Sequence, residues 1–549
     1  MHETGIHGAQ VVLLLLLFSV IAFAALARKL QTPYPIVLVI AGVLLGFVPG
    51  IPTVTLDPDV IFLVVLPPLL YAAAWLTSWR DFSYNLVSIA MLAIVLVGLT
   101  VWGVAEAGPW LIPGFNWSTG FVLGAVVATT DAIAATSIAK RVGLPKRIVD
   151  LLEGESLVND ATGLLELEFA LALVVSGQTP TASAGVLRLL VLVGGGVAAG
   201  MILGRIVEWF EHQVDDGPIE IAVSILVPYA TYLSAEAMHV SGVLAVVTAG
   251  LYLGRKSSKF FSPAVRIQAY AVWDSITFIL NGMVFILIGL QLPSVLAGVS
   301  ELSPRRLFLY GGLFSVFLIL LRLFWTFPEA YVAYLIRRRL LHQPEQRPGA
   351  RHVFVVGWTG MRGVIALAAA MSLPQTVAGG GPFPHRSLII FLTFCVILVT
   401  LVIQGLTLPP LIRFLGLAGA TRARYEDQEA RRLVLRRTLD RLEEMRRYDP
   451  KARAEVYDDL AHHYKNRLAS LQASPQKETA DAEHYFQFVS LSRALMEEER
   501  KIALGLRDEG AITDEVLREL EHELDLSETR LAYQEYQDGD NGNRSKSSY

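Results

Sequence analysis

The sequence predicts an all-α membrane protein of about thirteen transmembrane helices, two of them interrupted in mid-span, with a helical region after the last span. Three observations predict it. Thirteen apolar segments have the length, about 20 residues, that a helix needs to cross the hydrocarbon core. Of 549 residues, 53% are hydrophobic and only 17% charged, where a soluble protein of this size carries about a quarter. After Leu417 the chain turns abruptly charged and has no further membrane-length apolar run.

The segments are 10–28, 34–50, 59–78, 84–107, 117–140, 147–176, 184–210, 218–237, 239–255, 266–292, 305–337, 351–374 and 387–416. The first follows Met1-His-Glu-Thr-Gly-Ile-His-Gly8, which has no Lys or Arg and no convincing small-x-small site, so it reads as a retained helix and not a cleaved signal. Only Met238 separates the eighth from the ninth, and merging them would change the parity. The positive-inside rule decides. With thirteen spans and an outside N-terminus, the cytoplasmic ends carry Arg28, Lys29, Arg80, Lys140, Arg141, Lys146, Arg147, Arg255, Lys256, Lys259, Arg266, Arg337, Arg338, Arg339, Arg347 and Arg351. The outer ends carry only Arg188, Arg305, Arg306 and Arg386. Sixteen against four holds from the first loop to the last, and twelve spans would misplace the later basic loops.

Residues 417–549 read as a cytoplasmic, helical, regulatory tail, since no group suited to transport lies in them. Leu433, Leu435, Leu439 and Leu442 recur at helical spacing, and Arg436 with Asp440 or Glu443 with Arg447 suits a solvated helix. The end, Asp-Gly-Asp-Asn-Gly-Asn-Arg-Ser-Lys-Ser-Ser-Tyr, has turn formers without an apolar anchor and reads as disordered. His462 and His463 point about 100° apart on a helix and read as surface histidines, not a metal pair.

Composition excludes several classes. A net charge of −4 offers no basic field for nucleic acid. The lone Cys395, in an apolar run, rules out a disulfide framework or a thiolate metal cluster within one chain. No His-Glu-x-x-His or Gly-x-Ser-x-Gly motif supports an intramembrane enzyme, and no carbonyl-filter sequence or Arg ladder supports a channel.

The chemistry lies in the fifth and sixth segments. Thr129-Thr130-Asp131, Glu155-Ser156 and Asn159-Asp160 stand inside apolar surroundings, where a carboxylate costs a few kcal/mol or more and is kept for function. Clustered with hydroxyl and amide oxygens, these acids suit a hard monovalent cation or a proton. Positions 155, 156, 159, 160, 163 and 166 fall on or near one helical face, and Gly163 leaves room for another backbone. A buried acid needs a basic partner or a proton. Arg362, in Gly357-Trp-Thr-Gly-Met-Arg-Gly363, can pair with Glu155 or with Asp160; Glu155 is favoured because Asp160 must stay free to exchange. Asp274 and Asn281, seven residues apart on one face of the tenth segment, are the other candidate region of the second half. Thr129–Asp131 and the glycines around Arg362 can each break a helix in mid-membrane, a sign of a transporter site built from inverted repeats.

Gly154-Glu-Ser-Leu-Val-Asn-Asp160, preceded by Thr130-Asp131 and Gly143-Leu-Pro-Lys-Arg147, resembles the monovalent cation/proton antiporters that include archaeal NhaP and the mammalian Na+/H+ exchangers. Leu66-Pro-Pro-Leu-Leu-Tyr-Ala-Ala-Ala-Trp75 and Gly360-Met-Arg-Gly-Val364 are similar in order and place, so the resemblance covers about residues 10–416. It implies a homodimer in which each protomer has a dimerisation domain and a mobile core on two crossed, broken helices. It implies Na+ held by Asp160, Ser156, Asp131 through water, and backbone near Thr130, with Asn159 organising the site. Glu155 and Arg362 become a stabilising ion pair, and the Asn-Asp pair goes with electroneutral exchange. Two departures stand out: Ala132 replaces the Pro common after the fifth-segment Asp, and Glu166 and Glu168 occupy positions expected to be apolar or aromatic. Glu166 shares the site face and can extend a proton path, whereas Glu168 points elsewhere. The expectation is a plasma-membrane Na+/H+ antiporter of bacterial type that needs no cofactor, with K+ as the rival cation.

Overall fold

The computed structural model describes residues 6–49, 56–176, 182–343, 347–377, 380–418, 421–448, 454–472, 480–509, 516–517, 520–521, 523–529 and 531. The chain divides into two compact units, residues 1–419 and 420–549. Among the described residues all regular structure is helical, apart from an isolated bridge between Thr376 and Pro382.

Each of the thirteen apolar segments contains a helix or a jointed set of helices. The first two give α1 (Ile6–Lys29) and α2 (Tyr34–Gly46). At 13 residues α2 is shorter than expected: Pro33 and Pro35 fix its start, and the Phe47 and Val48 N–H groups close back on the Leu44 and Leu45 carbonyls. The third holds α3 (Pro58–Val60), a π-helical turn at Ile61–Val65 and α4 (Leu66–Leu76). Pro67 and Pro68 have no N–H to donate, so the ladder opens one turn before them, and the wider π turn absorbs the mismatch. The fourth holds α5 (Trp79–Ala90), a π turn at Met91–Leu96 and α6 (Val97–Leu111). The fifth is broken into α7 (Trp117–Ala128) and α8 (Ala132–Val142), bent by 41°.

The sixth is α9 (Lys146–Ser176), followed by α10 (Ala182–Glu211), α11 (Gly217–Ala237) and α12 (Gly242–Phe260). The weak boundary between the eighth and ninth segments is a true stop: His239 has φ 55°, and the Ser241 hydroxyl caps α12 by accepting from the Leu244 N–H at 3.2 Å. The tenth is α13 (Pro263–Leu290) with the short α14 (Leu292–Ala297), and the eleventh is α15 (Pro304–Arg339). The twelfth is broken into α16 (Ala350–Trp358) and α17 (Val364–Met371). The thirteenth holds α18 (Arg386–Val399), a π turn at Thr400–Gln404 and α19 (Gly405–Phe414).

Among the described residues, eight of these helical runs are long and apolar enough to cross a membrane, and the bent α7–α8 pair would be a ninth. The others fall short for visible reasons. α9 carries Asp150, Glu153, Glu155, Asp160, Glu166 and Glu168, α12 ends in Arg255, Lys256 and Lys259, and α2, α16 and α17 are short. The protein is a multi-pass membrane protein.

The two large apolar cores both take side chains from α9. One includes Val122, Val126, Leu367 and Ile389 from α7, α17 and α18, to which α9 adds Leu152 and Leu167. The other includes Tyr71, Trp75, Val246, Leu251 and Trp273 from α4, α12 and α13, to which α9 adds Leu157. The polar face of α9 lies against the α7–α8 break, where Glu155, Ser156 and Asn159 bond to Thr130 and Ala132.

The second unit contains α20 (Thr421–Tyr448), α21 (Ala454–Gln472) and α22 (Ala480–Asp508), packed in sequence order. Leu435 is buried, and Leu433 is exposed. Its surface ion pairs include Arg432–Glu429, Arg441–Glu444 and Arg446–Asp458. The His463 ring rests against Tyr464. The terminal stretch read as disordered lies outside the described residues.

Candidate functional site

The α7–α8 break forms without proline. Thr129 and Asp131 are extended, and Asp131 serves as the N-cap of α8, its Oδ1 accepting from the Ile133 N–H at 2.8 Å. Cap chemistry, not a missing donor, restarts the helix. The Asp131 N–H donates to the Met361 carbonyl at 2.8 Å, so the two interruptions touch. A Cβ on Gly363 would lie 2.5 Å from Asp131 Oδ2, so this approach requires glycine. The Arg362 N–H donates to Thr400 Oγ1 at 3.1 Å, in the π turn of the thirteenth segment.

Each break exposes carbonyls at one helix end and amides at the next, and inside the helices these groups need partners. Charges of the matching sign sit at these ends. Asp131 is at the start of α8, where the macrodipole favours an anion. The Arg362 guanidinium donates to the carbonyl of Val127 at 3.0 Å and to that of Gly360, at the ends of α7 and α16, where a cation is favoured.

That use of Arg362 corrects one expectation. The partner of Glu155 is Arg322 of α15, whose Nη1 and Nη2 donate to Oε1 and Oε2 at 2.7 and 2.9 Å. This bidentate fork is the strong form of an arginine–carboxylate contact. Arg322 also donates to the carbonyls of Gly357 at 3.3 Å and Val356 at 3.4 Å. It passes directly over Gly360, where any Cβ would collide with the guanidinium. A rigid, continuous helix thus delivers the arginine to Glu155, while Arg362, within the break, turns to the loose carbonyls beside it. An arginine inside the apolar run Leu318–Trp325 was the signal for this role, by the same cost argument that singled out the acids.

The other site residues come together. Thr130 Oγ1 donates to Glu155 Oε1 at 3.0 Å and accepts from Asn159 Nδ2 at 2.5 Å. The Ala132 N–H donates to Ser156 Oγ at 3.3 Å. Asn159 is fully buried, and its Oδ1 has no hydrogen-bond partner. Asp160, 3% exposed, lines a cavity of about 430 Å³ together with Asp131, Thr130 and Ser156. The same cavity reaches Lys140 and Glu153, whose ion pair at 2.8 Å is partly exposed. Glu155, Asn159, Arg322 and Arg362 are absent from its lining and form a layer behind it. The carboxylates of Asp131 and Asp160 and the hydroxyls of Thr130 and Ser156, on the cavity side, are donors for a hard cation. No group of three or more His, Cys, Asp or Glu side chains is placed to hold a metal ion among the described residues.

Gly163 admits the Thr129 methyl, which would collide with a Cβ there. In α13, Asn281 lines the cavity while Asp274 is exposed, so their common face does not bring both to the site. Glu168 is exposed and 3.4 Å from Arg188. Glu166 faces α6 at Gly98, with Oε2 buried and unpartnered, and is not in the cavity lining.

Paired carboxylates at the meeting of two interrupted helices define a class: membrane carriers of small cations and protons. Comparison with known proteins narrows it. The profile of the sodium/hydrogen exchanger transmembrane family matches residues 13–414. A Na+/H+ exchanger of Mycobacterium tuberculosis, itself uncharacterised, is 33% identical over 542 residues, covering 96% of this chain and 97% of that one. A sodium, potassium, lithium and rubidium/H+ antiporter of Bacillus pumilus is 32% identical, covering 81% of this chain and 66% of that one. The sodium proton antiporter MjNhaP1 of Methanocaldococcus jannaschii has the same fold, with a TM-score of 0.56 at 20% identity, covering 74% of this chain and 98% of that one. The chain belongs to the sodium/hydrogen exchanger family, and is a cation/proton antiporter of NhaP type.

Proposed function

We propose that this protein exchanges Na+ for H+ across the plasma membrane by alternating access, one cation for one proton. The observation that carries the reading is the cavity that brings Asp160, Asp131, Ser156 and Thr130 to one water-accessible place inside the helices. A carboxylate that binds either a cation or protons cannot hold both, and that competition couples the two fluxes if the empty, unprotonated carrier moves slowly. Asn159 is neutral and bonded to Thr130, so it organises the site without adding charge, which supports electroneutral exchange. Assembly as a homodimer, with residues 417–549 as a regulatory tail, belongs to the same reading.

A second reading is exchange of K+ by the same route. The Bacillus pumilus relative's description includes potassium, and oxygen ligands alone do not set cavity size. Proteoliposomes containing the full chain test both. The expected result is proton flux driven by Na+ more than by K+, with a rate insensitive to an imposed membrane potential. Cation flux without proton movement would overturn the antiport reading, and flux that follows the potential would overturn electroneutrality.

The charge distribution further supports thirteen spans, with Met1 outside and the C-terminus in the cytoplasm. The Lys140–Glu153 end of the cavity is then its cytoplasmic mouth. A reporter fused after Tyr549 is expected to be reachable only from the cytoplasm, and labelling of it from outside intact cells would sink this topology.

A further inference from the structure

The buried face of α15 is polar along its second half. Arg322, Thr326, Glu329 and Arg337 fall at steps of four, three and eight residues, which is one stripe of a helix. All four are 5% exposed or less. The two arginines have visible roles. Arg322 holds Glu155, while Arg337 donates to Gln343 Oε1 at 3.0 Å and to Ser88 Oγ at 3.5 Å, with its guanidinium over the Tyr84 ring. Thr326 Oγ1 donates to the Arg322 carbonyl at 2.7 Å. Glu329 has no comparable role: it is 5% exposed, and its Oε2 has no hydrogen-bond partner.

The charges acting on Glu329 are few. Arg322, with Glu155 bound to it, lies seven residues, two turns of α15, along the same buried stripe. The elements packed on α15 add little. The π turn Met91–Leu96 has no titratable residue, α6 has only Glu106, and α18 has only Arg386 and Cys395. Helix α5 brings Arg80, Asp81 and Tyr84, with Lys146 held by Asp81. Helix α16 has Arg351 and His352 in its first turn, and Arg362 lies past its end. Arg322 is already bound through both Nη atoms to Glu155. An ionised Glu329, buried as it is, would compete for that guanidinium, whereas a neutral carboxyl would not.

We propose that Glu329 is a second proton-binding group of this antiporter, placed behind the cation cavity, whose protonation state controls the Arg322–Glu155 pair and through it the cation site. With the proton on, Glu155 is the one carboxylate that Arg322 holds, Glu155 accepts from Thr130, and Thr130 accepts from Asn159 beside Asp160. With the proton lost, Arg322 is shared between two carboxylates and the Thr130–Asn159 support loosens. Transport then falls at alkaline pH for a reason separate from competition at Asp160. Glu329 is a positioning residue: it does not line the cavity.

The inference rests on the exchange reading above, and wild-type flux in the same preparation keeps the two apart. Na+-driven proton flux is measured in proteoliposomes from about pH 6 to about pH 9 for wild type, Glu329→Gln and Glu329→Asp. Glu329→Gln copies the neutral carboxyl and is expected to fold and transport, with its alkaline half-point moved up by about one pH unit or more, tenfold in proton concentration. Glu329→Asp retains an acid and is expected to restore an alkaline limb. A Glu329→Gln profile superimposable on wild type overturns the proposal. So does a Glu329→Gln protein that does not fold, because an amide satisfies the state in which the side chain is held to be neutral. Loss of the alkaline limb in Glu329→Asp overturns it as well.

Discussion

Asp160→Asn is expected to insert and fold normally yet lose cation-coupled proton flux by a factor of about 100 or more, the scale on which removal of an essential proton-transfer group is felt. Asn occupies the same volume and retains one oxygen for the cavity, so packing around this 3%-exposed side chain changes little. What disappears is the negative charge and the exchangeable proton together. The neighbouring acids do not replace it. Asp131 is tied to the start of α8 through Ile133, and Glu155 is held by Arg322 and Thr130 behind the cavity. Glu168→Gln is the control, because that side chain is exposed beside Arg188, and it is expected to retain most of the flux. Purified Asp160→Asn exchanging Na+ for protons at near the wild-type rate would move the site elsewhere.

The parts of this site that were legible in the sequence were those separated by local spacing. Glu155, Ser156, Asn159 and Asp160 share a helical face, and the structure turns all four toward the α7–α8 break. Their chemistry was readable because carboxylates in hydrocarbon are costly, whatever the fold. The break after Ala128 was harder, since Ala132 stands where a proline would have marked it; Asp131 makes the break by capping instead.

The ion pair was not legible because its members are 167 residues apart and two buried arginines compete. Choosing between them requires knowing which helices are continuous. Arg322 rides on an unbroken helix over Gly360, whereas Arg362 lies in a break and is surrounded by carbonyls that need donors. Arg322 and Glu329 are hidden in the sequence by the apolar residues around them in the eleventh segment. The cost of burial applied evenly to every charged residue of that segment would have marked both.

Arg322→Ala is therefore expected to destabilise the protein more than any other single change in this layer. It leaves Glu155, 1% exposed, with only the Thr130 hydroxyl, at a cost of about 3–5 kcal/mol for a broken buried pair. It also strips donors from the Val356 and Gly357 carbonyls at the end of α16. Arg322→Lys should recover only part of this, since an ammonium cannot reproduce the two-point fork. Replacing both members, Glu155→Leu with Arg322→Met, should recover much of the stability without restoring transport, because no charge is then left unpaired. Thermal unfolding of the purified variants gives the decisive comparison as a double-mutant cycle. Coupling between positions 155 and 322 should be about 2 kcal/mol or more, and that between 155 and 362 well below it. Were the larger coupling to fall on Arg362, Arg322 would be a helix-end donor and the pair seen at 2.7 Å would not be what stabilises Glu155.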